Sequence, residues 1–311
     1  MEHGTDLDMN RPSKPHATDA ETLRPRLLAL AYRMLGSVAD AEDAVQDAYL
    51  RLQQADGVAS PDAWLVKATT RLCIDRLWLS RRRKEYVGPW LPEPTTDGWG
   101  GAAMDRPELA ESLSMAFLVL LETLSPAERA AYLLREVFDY DFEEIAALLD
   151  KTPVNVRQIA ARARKRLGER ERRYRTDAGK ADDLAVRFFD ACRSGDIGAI
   201  ESLLTPEVTY FSDGGGKAHA APRPIEGPRK VAKLLAVVHR KRRKYCEVAL
   251  TTVNGQPGVV FSEAGKAIQI TTFATEGGRI VTFYTVLNPD KLRHWPSGGR
   301  GETYGPESTE P

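Results

Sequence analysis

Apolar residues recur at helical spacing over two blocks of the chain, residues 20–85 and about 108–175. In the first block, Ala41, Val45, Ala48 and Leu52 form a stripe whose spacing is typical of a helix with one buried face. Beyond residue 180, two helical stretches precede four runs with strand character: 247–253, 258–261, 267–274 and 279–286. The pattern therefore predicts two all-α parts followed by an α+β part.

Composition places the boundaries between these parts. Residues 1–19 have no apolar period and are predicted to be a disordered leader, as are residues 296–311, a tail rich in Gly, Ser, Pro and Glu. Residues 88–107 contain four prolines and four glycines, which is typical of a linker. We therefore expect a multidomain chain with helical domains at 20–87 and 108–176 and an α+β domain at 179–295.

The second helical block has the pattern of a helix-turn-helix. Ser125-Pro126-Ala127-Glu128 is a capping box with proline at the first helical position, and Asp141 and Thr152-Pro153 predict two further helix starts. The last helix places Val156, Ala160, Ala163 and Leu167 on an inward face. Its other side carries amides and cations suited to phosphates and base edges: Asn155, Arg157, Gln158, Arg162, Arg164 and Lys165. The alternative is an ordinary helical hairpin with a solvated basic face.

The first block has two contrasting helices. Opposite the apolar stripe, one helix has an acidic, amide-bearing side that is either merely solvated or a dock for a basic partner: Asp40, Glu42, Asp43, Gln46 and Asp47. The next helix starts at Ser60-Pro61 and interleaves aromatic residues with cations, a combination suited to single-stranded nucleic acid. Trp64 falls on its apolar face and is predicted to be core, whereas the place of Trp78 is left open. The cations are Arg71, Arg76, Arg81, Arg82, Arg83 and Lys84.

Charge is segregated along the chain although Lys+Arg and Asp+Glu are both 44. Nine basic residues lie in 157–175, and six acids with no Lys or Arg lie in 136–150. Such segregation is typical of a protein that binds a polyanion. Three scattered cysteines favour neither a disulfide framework nor a zinc site, and we expect no metal and no cofactor. With no apolar run of membrane-spanning length, we expect a cytoplasmic protein without a membrane partner.

These features together resemble a bacterial RNA polymerase sigma factor of the extracytoplasmic-function (ECF) group. Residues 20–86 resemble its region 2, and residues 108–170 resemble its region 4. The resemblance implies that the acidic helix binds the polymerase β′ clamp and that region 4 binds the β flap. It also implies that residues 64–84 melt and read the −10 element, and that the last helix reads the −35 element. No catalytic residue is implied, because the polymerase forms the phosphodiester bonds.

Three further strings resemble the ECF subgroup that continues into a SnoaL-like domain, an α+β cone fold. They are Trp90-Leu91-Pro92-Glu93-Pro94, Asp213-Gly214-Gly215-Gly216-Lys217 and Asn288-Pro289-Asp290-Lys291-Leu292. In this subgroup, the C-terminal domain is thought to modulate activity in cis in place of a separate anti-sigma factor. We expect the three strings to form an interdomain contact with Trp90 and Leu91 as its apolar anchor.

Several alternatives remain open on the sequence alone. The helical part could be a conventional helix-turn-helix repressor or activator. The α+β domain could sense an unknown small ligand, or it could hold an acid–base pair drawn from Asp213, His219 and His239. The glycine run could be an anion cradle or a tight loop packed on a neighbour. The cations at 240–244 could extend nucleic-acid contact, although a helix-dipole interaction is the simpler reading.

Overall fold

The computed structural model describes residues 17–79, 86–96, 99, 112–173, 178–242, 245–296 and 303–304. The first helical part consists of α1 (Ala17–Leu35), α2 (Val38–Gln54) and α3 (Pro61–Leu79). Helix α1 thus begins inside the segment predicted as a leader. In α2, Ala41, Val45 and Ala48 are fully buried, as the apolar stripe predicts.

The second helical part also follows the predicted starts. It consists of α4 (Met115–Leu121), α5 (Pro126–Tyr132), which runs into a π-helical turn (Leu133–Val137), α6 (Phe142–Leu149) and α7 (Pro153–Arg173). Helix α7 is interrupted at Gly168, where φ is 49°.

The two helical parts share one hydrophobic core. Leu27 and Leu65 from the first part belong to the same buried cluster as Leu121, Ile145 and Val156 from the second. Burial of apolar area is the dominant favourable contribution to folding and association. The two parts are therefore packed against each other in this structure and are not separate domains joined by a flexible linker.

The C-terminal part is an α+β unit with one curved sheet. It contains helices α8 (Ala178–Ser194), α9 (Ile197–Ser202), α10 (Pro228–Arg242) and α11 (Pro289–Leu292). Its strands are β1 (Leu204–Asp213), β2 (Ile225–Glu226), β3 (Glu247–Val253), β4 (Gln256–Glu263), β5 (Lys266–Glu276), β6 (Arg279–Val286) and β7 (Thr303–Tyr304).

The sheet order is β2-β1-β6-β5-β4-β3-β7, and only the β1–β6 pair is parallel among the described strands. The turns at Asn254-Gly255 and Gly277-Gly278 have positive φ at both positions, as predicted for tight hairpins. The prediction of a disordered tail is wrong at Thr303–Tyr304, which pairs with the β3 edge. An edge strand offers unpaired backbone groups to any chain that reaches it.

Alternation along the strands divides this unit into two apolar layers. Phe273 and Phe283 face the cluster formed with α8, α9 and α10, whereas Ala274 and Tyr284 face a second cluster that contains Leu91. Adjacent residues of a strand point to opposite sides of a sheet. Helices α8, α9 and α10 therefore cover one face of the sheet, and the linker and α11 cover the other.

The described part of the linker contains a buried stretch that includes Leu91, one of its two expected apolar anchors. Residues 91–95 are all buried. Glu93 joins the linker to the start of α2: its carboxylate accepts hydrogen bonds from Ser37 Oγ (3.0 Å) and from the backbone N–H of Val38 (2.6 Å). Its backbone N–H donates to the carbonyl oxygen of Gly36 at 2.9 Å. The side chain therefore caps the helix from outside the local sequence.

Burial raises the pKa of Glu93 above its ordinary value, against the hydrogen bonds from Val38 and Ser37, which lower it. The folded state therefore holds a proton more tightly than the unfolded chain, and this contribution to stability declines as pH rises through the folded pKa. As pH rises, we expect the free energy of unfolding to fall more for the wild type than for Glu93→Gln, because glutamine does not titrate. Urea unfolding at several pH values measures this difference, and Glu122→Gln, which changes a carboxylate elsewhere, is the control. A wild-type and a Glu93→Gln curve that stay parallel across pH would contradict it.

Candidate nucleic-acid interface and interdomain contact

Each of the helices α5, α6 and α7 begins at a side-chain cap. Ser125 and Glu128 form the predicted capping box of α5, and Asp141 and Glu144 form a second one at α6. Thr152 Oγ1 accepts a hydrogen bond from the backbone N–H of Asn155 (3.2 Å) at the start of α7. These caps fix where each helix begins and so fix which face of α7 is turned inward.

The two faces of α7 follow the sequence prediction. Val156, Ala160, Ala163 and Leu167 are buried, and Ile159 joins them at 5 % exposure. The predicted outward residues are all exposed: Asn155, Arg157, Gln158, Arg162, Arg164 and Lys165. The structure therefore brings one amide-rich cationic surface to solvent.

Part of this surface is paired with carboxylates of the same domain. Arg157 forms an ion pair with Glu143 (2.7 Å), and Arg164 pairs with Glu136 (2.5 Å). Both arginines are at least half exposed, so these pairs contribute little to stability. They can be exchanged for phosphates at small cost.

Helices α2 and α3 also present their predicted surfaces. The side chains of Asp40, Glu42, Asp43 and Gln46 are exposed, and Asp47 is half-buried. Trp78 is 68 % exposed, which answers the question left open by the sequence: it is not a core residue. Trp64, predicted to be core, packs partly buried against the helical core. Arg81, Arg82 and Arg83 lie outside the described residues.

One contact joins the predicted DNA-reading helix to the predicted polymerase-binding helix. Arg76 donates to the Asp47 carboxylate (2.8 Å) and to the carbonyl oxygen of Asp40 (2.6 Å). The two surfaces are thus assembled as one unit, and a change at Arg76 alters both.

Polar contacts also connect α3 with the turn of the helix-turn-helix. Asp150 ends α6 in the left-handed region (φ 52°) and forms ion pairs with Lys67 (2.7 Å) and with Arg71. Elsewhere, the buried Arg129 donates to the carbonyl oxygen of Met34 at 2.7 Å. A cation predicted to contact promoter DNA is therefore bound to a carboxylate of the other helical part.

Asp213 is the centre of the contact between the C-terminal part and the linker. Its side chain is fully buried. One carboxylate oxygen accepts from Tyr86 Oη (2.5 Å) and the Gly215 N–H (3.0 Å). The other accepts from the Leu91 N–H (2.9 Å) and Lys291 Nζ (2.6 Å). Four donors satisfy a charge that would otherwise be costly to bury.

Lys291 completes this contact from α11. Its ammonium group donates to the carbonyl oxygen of Leu91 and lies 4.2 Å from the ring centroid of Trp90 and 5.0 Å from that of Tyr86. Asn288 Nδ2 donates to Tyr86 Oη at 2.8 Å. Burial, followed by the hydrogen bond to Asp213, raises the pKa of Tyr86, so its hydroxyl remains a donor. We define Tyr86, Leu91, Asp213, Asn288 and Lys291 as the linker node.

The rest of the three strings surrounds the linker node. Lys217 pairs with Asp290, and this pair together with Arg293 lowers the pKa of Asp290. Pro289 occupies the first turn of α11, and Pro92 is buried in the linker.

The glycine run permits a close approach of the linker. A Cβ at Gly215 (φ 58°) would lie 2.2 Å from Asn288 Nδ2, and one at Gly216 (φ 73°) would lie 3.3 Å from Val87. A Cβ at Gly214 would likewise collide with the backbone of Ala218. The geometry supports the tight loop packed on a neighbour and gives no support to an anion cradle.

A second interdomain contact was missed by sequence reasoning. Asn254 lies in the β3–β4 turn at φ 53° and is 1 % exposed. Its amide oxygen accepts from the Thr95 N–H (3.1 Å), its own N–H donates to the Thr95 carbonyl oxygen (2.9 Å), and Nδ2 donates to Tyr32 Oη (2.8 Å). The sequence signals only a turn here, because Asn-Gly is the ordinary composition of such a hairpin.

The candidate acid–base groups do not form a catalytic site. Asp213 is saturated by its donors, His219 is exposed, and His239 packs between the rings of Phe189 and Phe261, 5.6 and 6.0 Å away. A cavity between α4 and the sheet has a volume of about 10 Å³, room for about one water. Among the described residues, no cluster suited to a metal ion and no helix able to cross a membrane is present.

Comparison with known proteins agrees with this geometry. Residues 20–84 match the Sigma-70 region 2 family and residues 114–167 match Sigma-70 region 4. The chain is 35 % identical to the ECF RNA polymerase sigma factor SigJ of Mycobacterium tuberculosis over 292 residues, which cover 90 % of this chain and 94 % of that protein. A probable ECF sigma factor, SigI, of the same species is 27 % identical over 89 % of this chain and 95 % of its own length.

The match extends to three dimensions. The crystal structure of M. tuberculosis SigJ superposes with a TM-score of 0.70 at 32 % identity, covering 89 % of this chain and 98 % of that one. The coverage includes the C-terminal part, whose helices and seven-stranded sheet agree with the predicted α+β fold. Identity over nine-tenths of both chains, together with both sigma regions, assigns this chain to the ECF RNA polymerase sigma factors, non-enzymatic initiation subunits that bind core polymerase and direct it to promoters.

Proposed function

We propose that this structure is a closed form of the sigma factor, which must open to use a promoter. The observation that carries the proposal is the packing of the helix-turn-helix on the −10-reading helix, where Asp150 pairs with Lys67 and Arg71 at the edge of the shared core. The centres of the −35 and −10 elements are about 25 base pairs apart, or about 85 Å of B-form duplex. Two helices in direct contact cannot reach both elements at once.

In the open form, α7 reads the −35 element in the major groove. Its exposed side supplies one amide able to pair with adenine, Gln158, and cations for guanine edges and phosphates, and the other predicted contacts are Asn155, Arg157, Arg162, Arg164 and Lys165. The −10 element is opened by α3 and the residues after it, where Trp78 is exposed for stacking on a base.

The acidic side of α2 serves as the dock for core polymerase. Asp40, Glu42 and Asp43 are exposed around Gln46, with Asp47 beside them. We assign this side to the β′ clamp and region 4 to the β flap. The protein then acts in the cytoplasm, where core polymerase works.

The C-terminal part controls opening in cis. Leu91 is 1 % exposed and belongs to one apolar cluster with Met115 of α4 and with Val286 and Leu292 of the C-terminal part. The linker between regions 2 and 4 is thus held by the sheet that follows them. Opening requires this contact to loosen, so the C-terminal part inhibits promoter use without a separate anti-sigma factor.

Gln158→Ala should weaken binding to a cognate promoter by about 1–3 kcal/mol, because a bidentate amide contact to a base is lost. Binding to random duplex should be unchanged, because the side chain carries no charge. Competition between the two duplexes for holoenzyme measures the ratio. An equal loss on both would mean that Gln158 does not read a base.

Asp150→Asn should favour the open form. Asparagine tolerates the left-handed backbone, but the ion pairs to Lys67 and Arg71 are lost. Asp139→Asn is the matched control, because Asp139 is exposed, has φ 59° and has no ion pair within the described residues. We expect promoter affinity to rise several-fold for Asp150→Asn only, with stability changed by less than about 1 kcal/mol. Equal affinities of the two variants would contradict the role of Asp150.

Lys291→Met should release the linker. Removal of one partner of a buried ion pair leaves the Asp213 charge uncompensated and costs about 3–5 kcal/mol. We expect faster proteolysis within residues 86–96 and higher promoter output in transcription with core polymerase. Lys266→Met, at an exposed position of β5, is the control. Addition of Asp213→Asn should recover part of the loss, because the unpaired charge is then absent.

Two results would count against this account. A linker that stays protected in Lys291→Met, with unchanged output, would remove the linker node from regulation. A linker that becomes accessible while output falls would mean that the C-terminal part assists initiation instead of inhibiting it.

A further inference from the structure

The exposed side of α10 is a cationic surface that the function above does not use. Five basic residues lie on it, and the helix contains neither Asp nor Glu: Arg229, Lys230, Lys233, Arg240 and Lys241. All five are exposed, and Val237 lies among them at 38 % exposure. We call these five side chains the α10 basic face.

Helix geometry gathers the α10 basic face on one side. At 100° per residue, its five members fall within an arc of roughly 120°. The opposite arc holds Val231, Ala232, Leu235 and Ala236, which are buried against the sheet. Because α10 and the linker lie on opposite faces of that sheet, the basic face is turned away from regions 2 and 4.

Helix stability does not account for this charge. Cations near a helix C-terminus are favoured by the helix dipole, which accounts for Arg240 and Lys241. Arg229 and Lys230 lie in the first turn, where the dipole disfavours cations and no acid is present to compensate. The helix-dipole interaction therefore explains only two of the five cations.

The α10 basic face also differs from the other cationic surfaces in its partners. In region 4, Arg157 and Arg164 are paired with Glu143 and Glu136. Within the described residues, no member of the α10 basic face has an ion-pair or hydrogen-bond partner. The like charges repel one another in the free protein, and a polyanion would relieve that repulsion.

We propose that the α10 basic face binds the phosphate backbone of duplex DNA. The five cations extend from Arg229 to Lys241, about 18 Å along the helix axis, which spans several phosphates of one strand at about 3.4 Å of axis each. This side of α10 carries no amide or hydroxyl group that could read a base edge. The contact is therefore independent of sequence and adds to the reading by regions 2 and 4.

Among polyanions, duplex DNA fits best because a sigma factor works at a promoter. This choice of ligand rests on the proposed function. Phosphate contacts supply affinity and register without sequence information. A surface on the far side of the sheet extends the footprint of the protein beyond the two elements it reads. An acidic face of a partner protein is the competing occupant, and the test below distinguishes it.

The test compares two full-length variants with equal loss of charge. The first is Lys230→Gln/Lys233→Gln/Lys241→Gln. The second, the control, is Arg187→Gln/Lys266→Gln/Arg279→Gln, whose positions are also exposed in the C-terminal part. Binding to a labelled random-sequence duplex is followed by fluorescence anisotropy over a range of KCl concentrations. We expect the first variant to bind roughly 10- to 100-fold more weakly at 0.1 M salt and to lose up to about 2.7 from the salt slope, with little change in the control.

Three outcomes would overturn the proposal. The first is an equal effect of the two variants, which would mean that only net charge matters. The second is unchanged DNA binding with weaker assembly on core polymerase, which would make the α10 basic face a protein dock. The third is tighter binding of single-stranded RNA than of duplex DNA. Transcription with core polymerase keeps this test apart from the proposed function, because start-site selection should persist in both variants.

Discussion

The arrangement of this sigma factor depends on one buried ion pair, between Asp213 and Lys291. Burial of two charges is costly, and such a pair stabilises a fold only when its remaining hydrogen-bonding capacity is satisfied. Here the carboxylate receives four donors, and the ammonium group faces the ring of Trp90 and the carbonyl oxygen of Leu91. Because two of these partners are backbone atoms of Leu91, the pair fixes the path of the linker more than it adds stability.

That path links the C-terminal part with the shared helical core. Leu91 is inserted against the sheet, and two residues later Glu93 caps α2. Asn254 holds Thr95 on the following stretch. The linker is therefore attached alternately to the C-terminal part and to region 2, and we propose that release at the linker node would be transmitted to the start of α2. The buried ion pair, the cap of α2 by Glu93 and the contact of Thr95 with Asn254 thus all lie on one short segment of the linker.

The sequence predicts what is local and leaves out what joins distant segments. Strands β3 and β6 match their predicted limits because alternation and turn residues are local signals. The faces of α7 follow from 3.6-residue periodicity. The packing of region 2 on region 4 has no such signal, and neither does the pairing of Asp150 with Lys67 and Arg71 across more than 75 residues. Proline and glycine content predicts that residues 88–107 are a linker, but it does not predict which linker residues are buried, because it describes backbone conformation only.

The charges of this protein divide into those that are neutralised within the chain and those that are not. Arg71 and Arg76 are paired with Asp150 and Asp47, so carboxylates occupy two of the cations that we predict contact promoter DNA. In the proposed complex, DNA would displace these carboxylates, and the more exposed pair, Arg71 with Asp150, is worth no more than about 1 kcal/mol. The α10 basic face has no such competitor. If DNA binds as proposed, initial contact through the unpaired surface and then exchange at the paired ones would let nonspecific affinity offset the cost of opening before any base is read.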